Sequence, residues 1–150
     1  MHSTIESIAP IFQTAIPEFW GEHKQDSSFM ESLQFVIRAC PALQFGDCHW
    51  RTISENGTDF MLPEDAENLP AHVIAWSRIL DGKELLCAVN LHRQQQCVVY
   101  VTIDYDLQVS NSKLNRLFGP DNTPTELNVE DRNGKCVRLT IPPDSLVIYG

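Results

Sequence analysis

Carboxylate pairs are the first residues to weigh, because glycoside cleavage and much acid–base chemistry need two of them held near one bond. Glu64, Asp65 and Glu67 form one group, and Asp104 and Asp106 flank Tyr105 in a second. The first lies in a loop-like stretch with acidic residues and prolines, and the second lies where a strand is expected to end. Neither has the apolar setting that would raise one carboxyl and leave its partner ionised. Both read as solvated charge clusters.

Nucleophilic chemistry finds no better footing. Ser and Cys are plentiful, yet no Gly-x-Ser-x-Gly elbow occurs. Cys48 and His49 are adjacent, and neighbours on a strand point to opposite faces, a poor geometry for a thiolate pair. No glycine opens a helix in a phosphate-cradling fingerprint. The five cysteines (Cys40, Cys48, Cys87, Cys97 and Cys136) include no Cys-x-x-Cys, and no His stands at a metal-site offset from a Cys pair. Free thiols in a reducing cytoplasm are the expectation. No catalytic residue, cofactor or metal ligand is assigned.

Trp20, Trp50 and Trp76 could stack on sugar rings through an apolar face and a polar N–H. Trp76 sits inside an apolar strand and is expected in the core. Trp20 falls in a loop, and Trp50 is open between the two roles. Asn56-Gly57-Thr58 matches the N-glycosylation pattern and is more simply a turn.

The elements that must position these residues change character along the chain. Residues 1–46 read as helical. Asp26-Ser27-Ser28-Phe29-Met30-Glu31 offers capping candidates, with Ser28 and Glu31 at capping-box spacing, after which Phe29, Leu33, Val36, Ile37 and Cys40 share one face until Pro41 stops the helix. Ile5, Ile8, Phe12 and Ala15 mark an earlier helical face, and residues 18–25 read as a loop. The helical piece is too short to hold its own core, so its apolar face must pack on the sheet or on something outside the chain. Without a partner it is expected to lie partly orphaned.

From Cys48 onward the signals are those of strands. Residues 49–54 form a short strand candidate, followed by a turn at Asn56-Gly57 and a loop-like stretch to residue 70. Segments 72–80 and 84–92 form a hairpin around Asp81-Gly82. Residues 97–103 are β-branched, and 107–123 are polar with an apolar patch at Leu114, Leu117 and Phe118. Segments 125–131 and 135–141 are expected to pair around Asn133-Gly134. Pro142-Pro143 supplies no backbone N–H and separates a strand from a terminal strand. The fold class is mainly β, an antiparallel Greek-key β-sandwich with a short helical N-terminal segment.

The chain has 150 residues, enough for one ordinary core or a small domain with an appendage. Its formal charge of −9 argues against nucleic acid and anionic membrane as partners, since phosphate binding needs clustered Lys and Arg. No apolar run approaches the roughly 18–20 residues that span a bilayer. Met1-His2-Ser3-Thr4-Ile5-Glu6 lacks the basic region and apolar core of a signal peptide, so a cytoplasmic location is expected.

Four segments in order carry a resemblance. Ile37-Arg38-Ala39-Cys40-Pro41-Ala42-Leu43-Gln44-Phe45-Gly46 resembles the join between the last barrel helix and the C-terminal domain in the α-amylase superfamily, glycoside hydrolase family 13. Residues 51–60 are similar to the strand and turn that follow. Ile74-Ala75-Trp76-Ser77-Arg78-Ile79-Leu80 and Glu84-Leu85-Leu86-Cys87-Ala88-Val89-Asn90 resemble that domain's central hairpin with its valine–asparagine end. Residues 139–149 are like its closing strands. The resemblance covers roughly residues 29–150.

It implies that residues 1–46 correspond to the end of a catalytic barrel and 47–150 to a C-terminal all-β domain. The family's barrel carries an Asp nucleophile, a Glu acid and a late His-Asp pair, and none of those motifs occurs here. The barrel itself needs about 250 residues. The expectation is a non-catalytic domain, a fragment or split product that packs on and stabilises an α-amylase-type barrel. The alternative is a free-standing carbohydrate-binding module that holds an oligosaccharide on Trp50, Trp20 or another exposed aromatic. An enzyme would need an unrecognised site in the 64–67 loop.

Overall fold

The computed structural model describes residues 18–62 and 72–150. The candidate helical face at Ile5, Ile8, Phe12 and Ala15 and the carboxylates Glu64, Asp65 and Glu67 lie outside the described residues.

A helix runs over Ser27–Ala39. Its cap is Asp26, with extended backbone, whose Oδ1 accepts the N–H of Phe29 at 3.1 Å. The expected box at Ser28 and Glu31 does not form, because Ser28 already lies inside the first turn and cannot take the extended cap conformation. Cys40 is extended ahead of Pro41, which ends the helix as expected. A short helix, Ala42–Phe45, follows and closes on Gly46. A Cβ at Gly46 would stand 2.5 Å from the Ala42 carbonyl and 3.0 Å from the Ile79 backbone, so only glycine fits there.

Residues 18–23 are helical, not the loop expected from their polarity. One helical turn puts Phe19 and His23 on the same side, with ring centroids 4.2 Å apart, and Phe19 is buried. Packing at these two positions overrides the weak local signal.

Among the described residues nine strands follow: β1 Asp47–Trp50, β2 Ile53–Ser54, β3 Val73–Leu80, β4 Lys83–Asn90, β5 Cys97–Thr102, β6 Lys113–Phe118, β7 Glu126–Asn128, β8 Cys136–Ile141 and β9 Ser145–Tyr149. They form a six-stranded sheet in the order β1-β3-β4-β9-β6-β7 and a three-stranded sheet in the order β2-β5-β8. All pairings are antiparallel. The expected antiparallel sandwich with short N-terminal helices is present.

The β3–β4 hairpin forms as expected, with Asp81 at φ 52° and Gly82 at φ 74°, the two left-handed residues of a tight turn. Three expectations are corrected. The single strand over 49–54 divides into β1 and β2, which belong to different sheets; Arg51 and Thr52 carry the crossing, Thr52 bonding Thr102 Oγ1 in the small sheet. The polar stretch 107–123 contains a real strand, β6, whose inward side chain is the buried Leu114. The turn at Asn133-Gly134 exists, but its arms share only the Glu130–Cys136 bridge: β7 pairs with β6, and β8 with β5.

The space between the sheets holds one core, including Val73, Leu86, Val99, Val101, Leu139, Val147 and Tyr149. The large sheet's other face builds a second cluster with the helices, joining Phe19, Leu33 and Val36 to Ile74, Cys87, Val89, Leu146 and Ile148. The large sheet is therefore buried on both faces, and β4 is covered at seven consecutive positions. The helix face expected to be partly orphaned rests on this sheet: Leu33 and Val36 are buried, and Phe29 and Ile37 are half-buried.

Candidate functional site

The residues nominated from the sequence are dispersed. Asp104 Oδ1 accepts the N–H groups of Asp106 and Leu107, both at 2.9 Å, so this carboxylate closes a local turn. Cys48 is half-buried on the helix side of β1 and His49 is exposed on the opposite side. Burial raises the Cys48 thiol, opposed by the Arg78 charge, so the neighbouring pair forms no thiolate couple. All five cysteines are free. Burial pushes Cys87 up to about 12 and, with Glu130 adding to it, Cys136 to about 11. No group of three or more His, Cys, Asp or Glu side chains among the described residues could hold a metal ion.

Trp50 and Trp76 meet edge to face, centroids 6.0 Å apart, half-buried in the helix-side cluster. They are packing partners across β1 and β3, not an open stacking platform. The Trp50 indole N–H is buried without a hydrogen-bond partner among the described residues. Trp20 is 42% exposed and meets Phe29 edge-on at 6.5 Å. It borders an apolar cleft of about 280 Å³ between the helices and the large sheet, lined also by Leu33, Ile37, Leu43 and Trp76.

A larger open cleft of about 720 Å³ lies between the Ser27–Ala39 helix and the ends of β6 and β9, with Phe29, Phe35 and Phe118 on its walls and Asp26, Glu31 and Asp144 at its rim. His23 is wedged there between the rings of Phe19 and Phe29, with its Nε2 3.3 Å from Asp144 Oδ2. No two carboxylates in either cleft are held about a common point by hydrogen bonds, so neither cleft shows a paired-acid arrangement among the described residues.

The most elaborate polar centre was missed by sequence reasoning. The Glu84 side chain is fully buried on β4 and faces the small sheet. Its Oε2 accepts from Arg51 Nη2 at 2.9 Å, from Ser77 Oγ and from the Asp104 N–H, while Oε1 accepts from Gln108 Nε2 at 2.9 Å. Arg51 Nε also donates to Ser77 Oγ at 2.8 Å. Period-two alternation could have exposed it, since Glu84 shares its strand face with Leu86 and Ala88. Four donors from this chain, the Asp104 N–H shared between both oxygens, surround the carboxylate, so the centre is a brace between sheets.

Asn90 is a second brace. Its Nδ2 donates to the carbonyls of Gln95, Ile141 and Pro142, and its Oδ1 accepts the His92 N–H. This fixes the β4–β5 connection to the corner after β8 and explains an Asn at the end of the hairpin.

No family model matches the chain, and no curated protein matches it. Solved structures do. The native debranching enzyme of Nostoc punctiforme is similar over 81% of this chain and 20% of its own, at 20% identity and a TM-score of 0.53. A second structure of that enzyme gives 19% identity over the same shares, with a TM-score of 0.52. The shared property is the fold. This chain spans about one fifth of the length of the enzyme it matches. The fold of the described residues thus resembles part of that debranching enzyme.

Proposed function

We propose that this chain is a non-catalytic C-terminal β-domain of an α-amylase-like glycosidase, which packs on a catalytic barrel and stabilises it. The observation that carries the reading is the fold shared with one fifth of a debranching enzyme, in a chain whose described polar centres are closed braces. The four ordered segments support the lineage. A cytoplasmic location and the absence of nucleic-acid and membrane partners remain part of the proposal; among the described residues no helix is long and apolar enough to cross a membrane.

Purified chain incubated with starch, maltooligosaccharides and sucrose should release no reducing sugar. Turnover abolished by changing one Asp or Glu would overturn the reading. Titration with maltooligosaccharides while following tryptophan emission separates the carbohydrate-binding alternative: saturable quenching lost in Trp20→Ala would favour it, and a flat response favours the scaffold.

A further inference from the structure

Two Asn-Gly dipeptides stand in turns of this chain, Asn56-Gly57 and Asn133-Gly134. In such a pair the backbone nitrogen of glycine can attack the asparagine Cγ, an approach eased by the absence of a Cβ. The new N–Cγ bond closes a succinimide as the Cγ–Nδ2 bond breaks and ammonia leaves with the glycine proton. Water then opens the ring at either carbonyl, giving aspartate or isoaspartate. One water is consumed, one ammonia is released, and nothing is oxidised or reduced.

The sequence makes the two pairs equivalent, and the fold does not. The Asn56 carboxamide is held from both ends. Its Oδ1 accepts from Ser54 Oγ at 2.9 Å, the Thr58 N–H at 2.8 Å and the Asp59 N–H at 2.9 Å. Its Nδ2 donates to Asp59 Oδ2 at 2.7 Å. The nucleophile is held too: the Gly57 N–H donates to Ser54 Oγ at 2.9 Å, and Gly57 is buried against Tyr100 and Arg132. Attack there requires giving up the hydrogen bond from the Gly57 N–H to Ser54 Oγ and rotating a carboxamide out of four others.

Asn133 and Gly134 are both exposed. Neither the Asn133 carboxamide nor the Gly134 N–H has a hydrogen-bond partner among the described residues. The space around Gly134 is open apart from the Tyr105 ring edge at 3.6 Å from where a Cβ would stand. We infer that Asn133 is this protein's site of spontaneous deamidation, and that the Ser54–Asp59 turn shields Asn56 from the same reaction. The product carboxylate would join Glu130 and Asp131 between two pinned cations, Arg132 over the Tyr100 ring and Lys135 over the Tyr105 ring. The isoaspartyl form would lengthen the backbone of the turn that delivers β8 to the small sheet. This inference is independent of the barrel-packing proposal.

The full chain is incubated at mildly alkaline pH, native and in concentrated urea, and sampled by peptide mapping with mass and isoaspartyl detection. Native chain should convert Asn133 at least about tenfold faster than Asn56, the factor that follows if attack on Asn56 forfeits even one or two of these bonds. In urea the two rates should converge. Equal native rates, faster loss of Asn56, or an unchanged ratio in urea would overturn the inference. Ser54→Ala should speed Asn56 and leave Asn133 unchanged. If that buried variant does not fold, Asp59→Ala at an exposed position tests the same shielding, and an unaltered Asn56 rate there refutes it.

Discussion

Replacing Glu84 by leucine tests whether the buried carboxylate braces the two sheets. The substitution removes the one acceptor shared by Arg51, Ser77, the Asp104 N–H and Gln108. The Arg51 side chain is only 16% exposed, so its guanidinium would be left largely desolvated and unpaired. Breaking such a pair from one side costs about 3–5 kcal/mol. That is a large part of the roughly 5–15 kcal/mol that holds a domain of this size together. In urea titration followed by circular dichroism, a slope of roughly 1–3 kcal/mol per molar turns this loss into a midpoint lower by about 2 M. Glu84→Gln keeps the shape and loses the charge, and should fall between wild type and Glu84→Leu. The double change Arg51→Met with Glu84→Leu removes both charges together and should recover most of the loss, as apolar replacement of buried pairs does. A Glu84→Leu cost below about 1 kcal/mol, the scale of an exposed ion pair, would refute the bracing role. So would a double variant no more stable than Glu84→Leu alone.

Asn90→Ala should lower stability by about 2–4 kcal/mol, because it leaves the carbonyls of Ile141 and Pro142 without their buried donor; thermal melting should show a fall on the order of 5–15 °C. The buried thiols predict an alkaline limit. Cys136 and Cys87 titrate near 11 and 12 in the folded chain against 9.0 in the unfolded one, so the unfolded state loses protons first. Their contribution to stability is full below pH 9.0 and declines as pH rises through about 11 and 12, a sign that urea midpoints across alkaline pH would check. Replacing Cys87 by alanine should flatten that decline.

Local signals were legible wherever a few residues suffice to set the backbone. Asp81-Gly82 dictates a two-residue turn because both residues accept positive φ, and the β3–β4 register follows from it. Pro41 and Pro142-Pro143 mark element ends through their missing N–H groups. The apolar period of Leu33 and Val36 locates the helix and its buried face. Among the capping candidates Asp26 takes the role and the Ser28–Glu31 box does not form, since serine and aspartate cap by the same chemistry and only the entering chain direction chooses between them.

Strand partners were not legible in the same way. Asn133-Gly134 forms the expected left-handed turn, yet β7 leaves it for β6 and β8 for β5. Leu127 and Val129 are buried in the same inter-sheet core as Leu139 and Ile141, so either pairing keeps the alternation, and burial across the sandwich selects one. The candidate centres behave likewise. Glu84 looks like any charged residue after a turn until Arg51, Ser77 and Gln108 converge on it from separate segments.

By itself the sequence determined the turns, the breaks, the helix and the mainly-β class, because backbone sterics and side-chain period act over a few neighbouring residues. Only the tertiary structure decided that 49–54 divides between two sheets, that β6 exists, that Trp50 and Trp76 pack on each other, and which Asn-Gly turn is shielded. Each of these depends on groups far apart in the chain competing for the same buried face or hydrogen bond, and that competition is settled only when the sheets close.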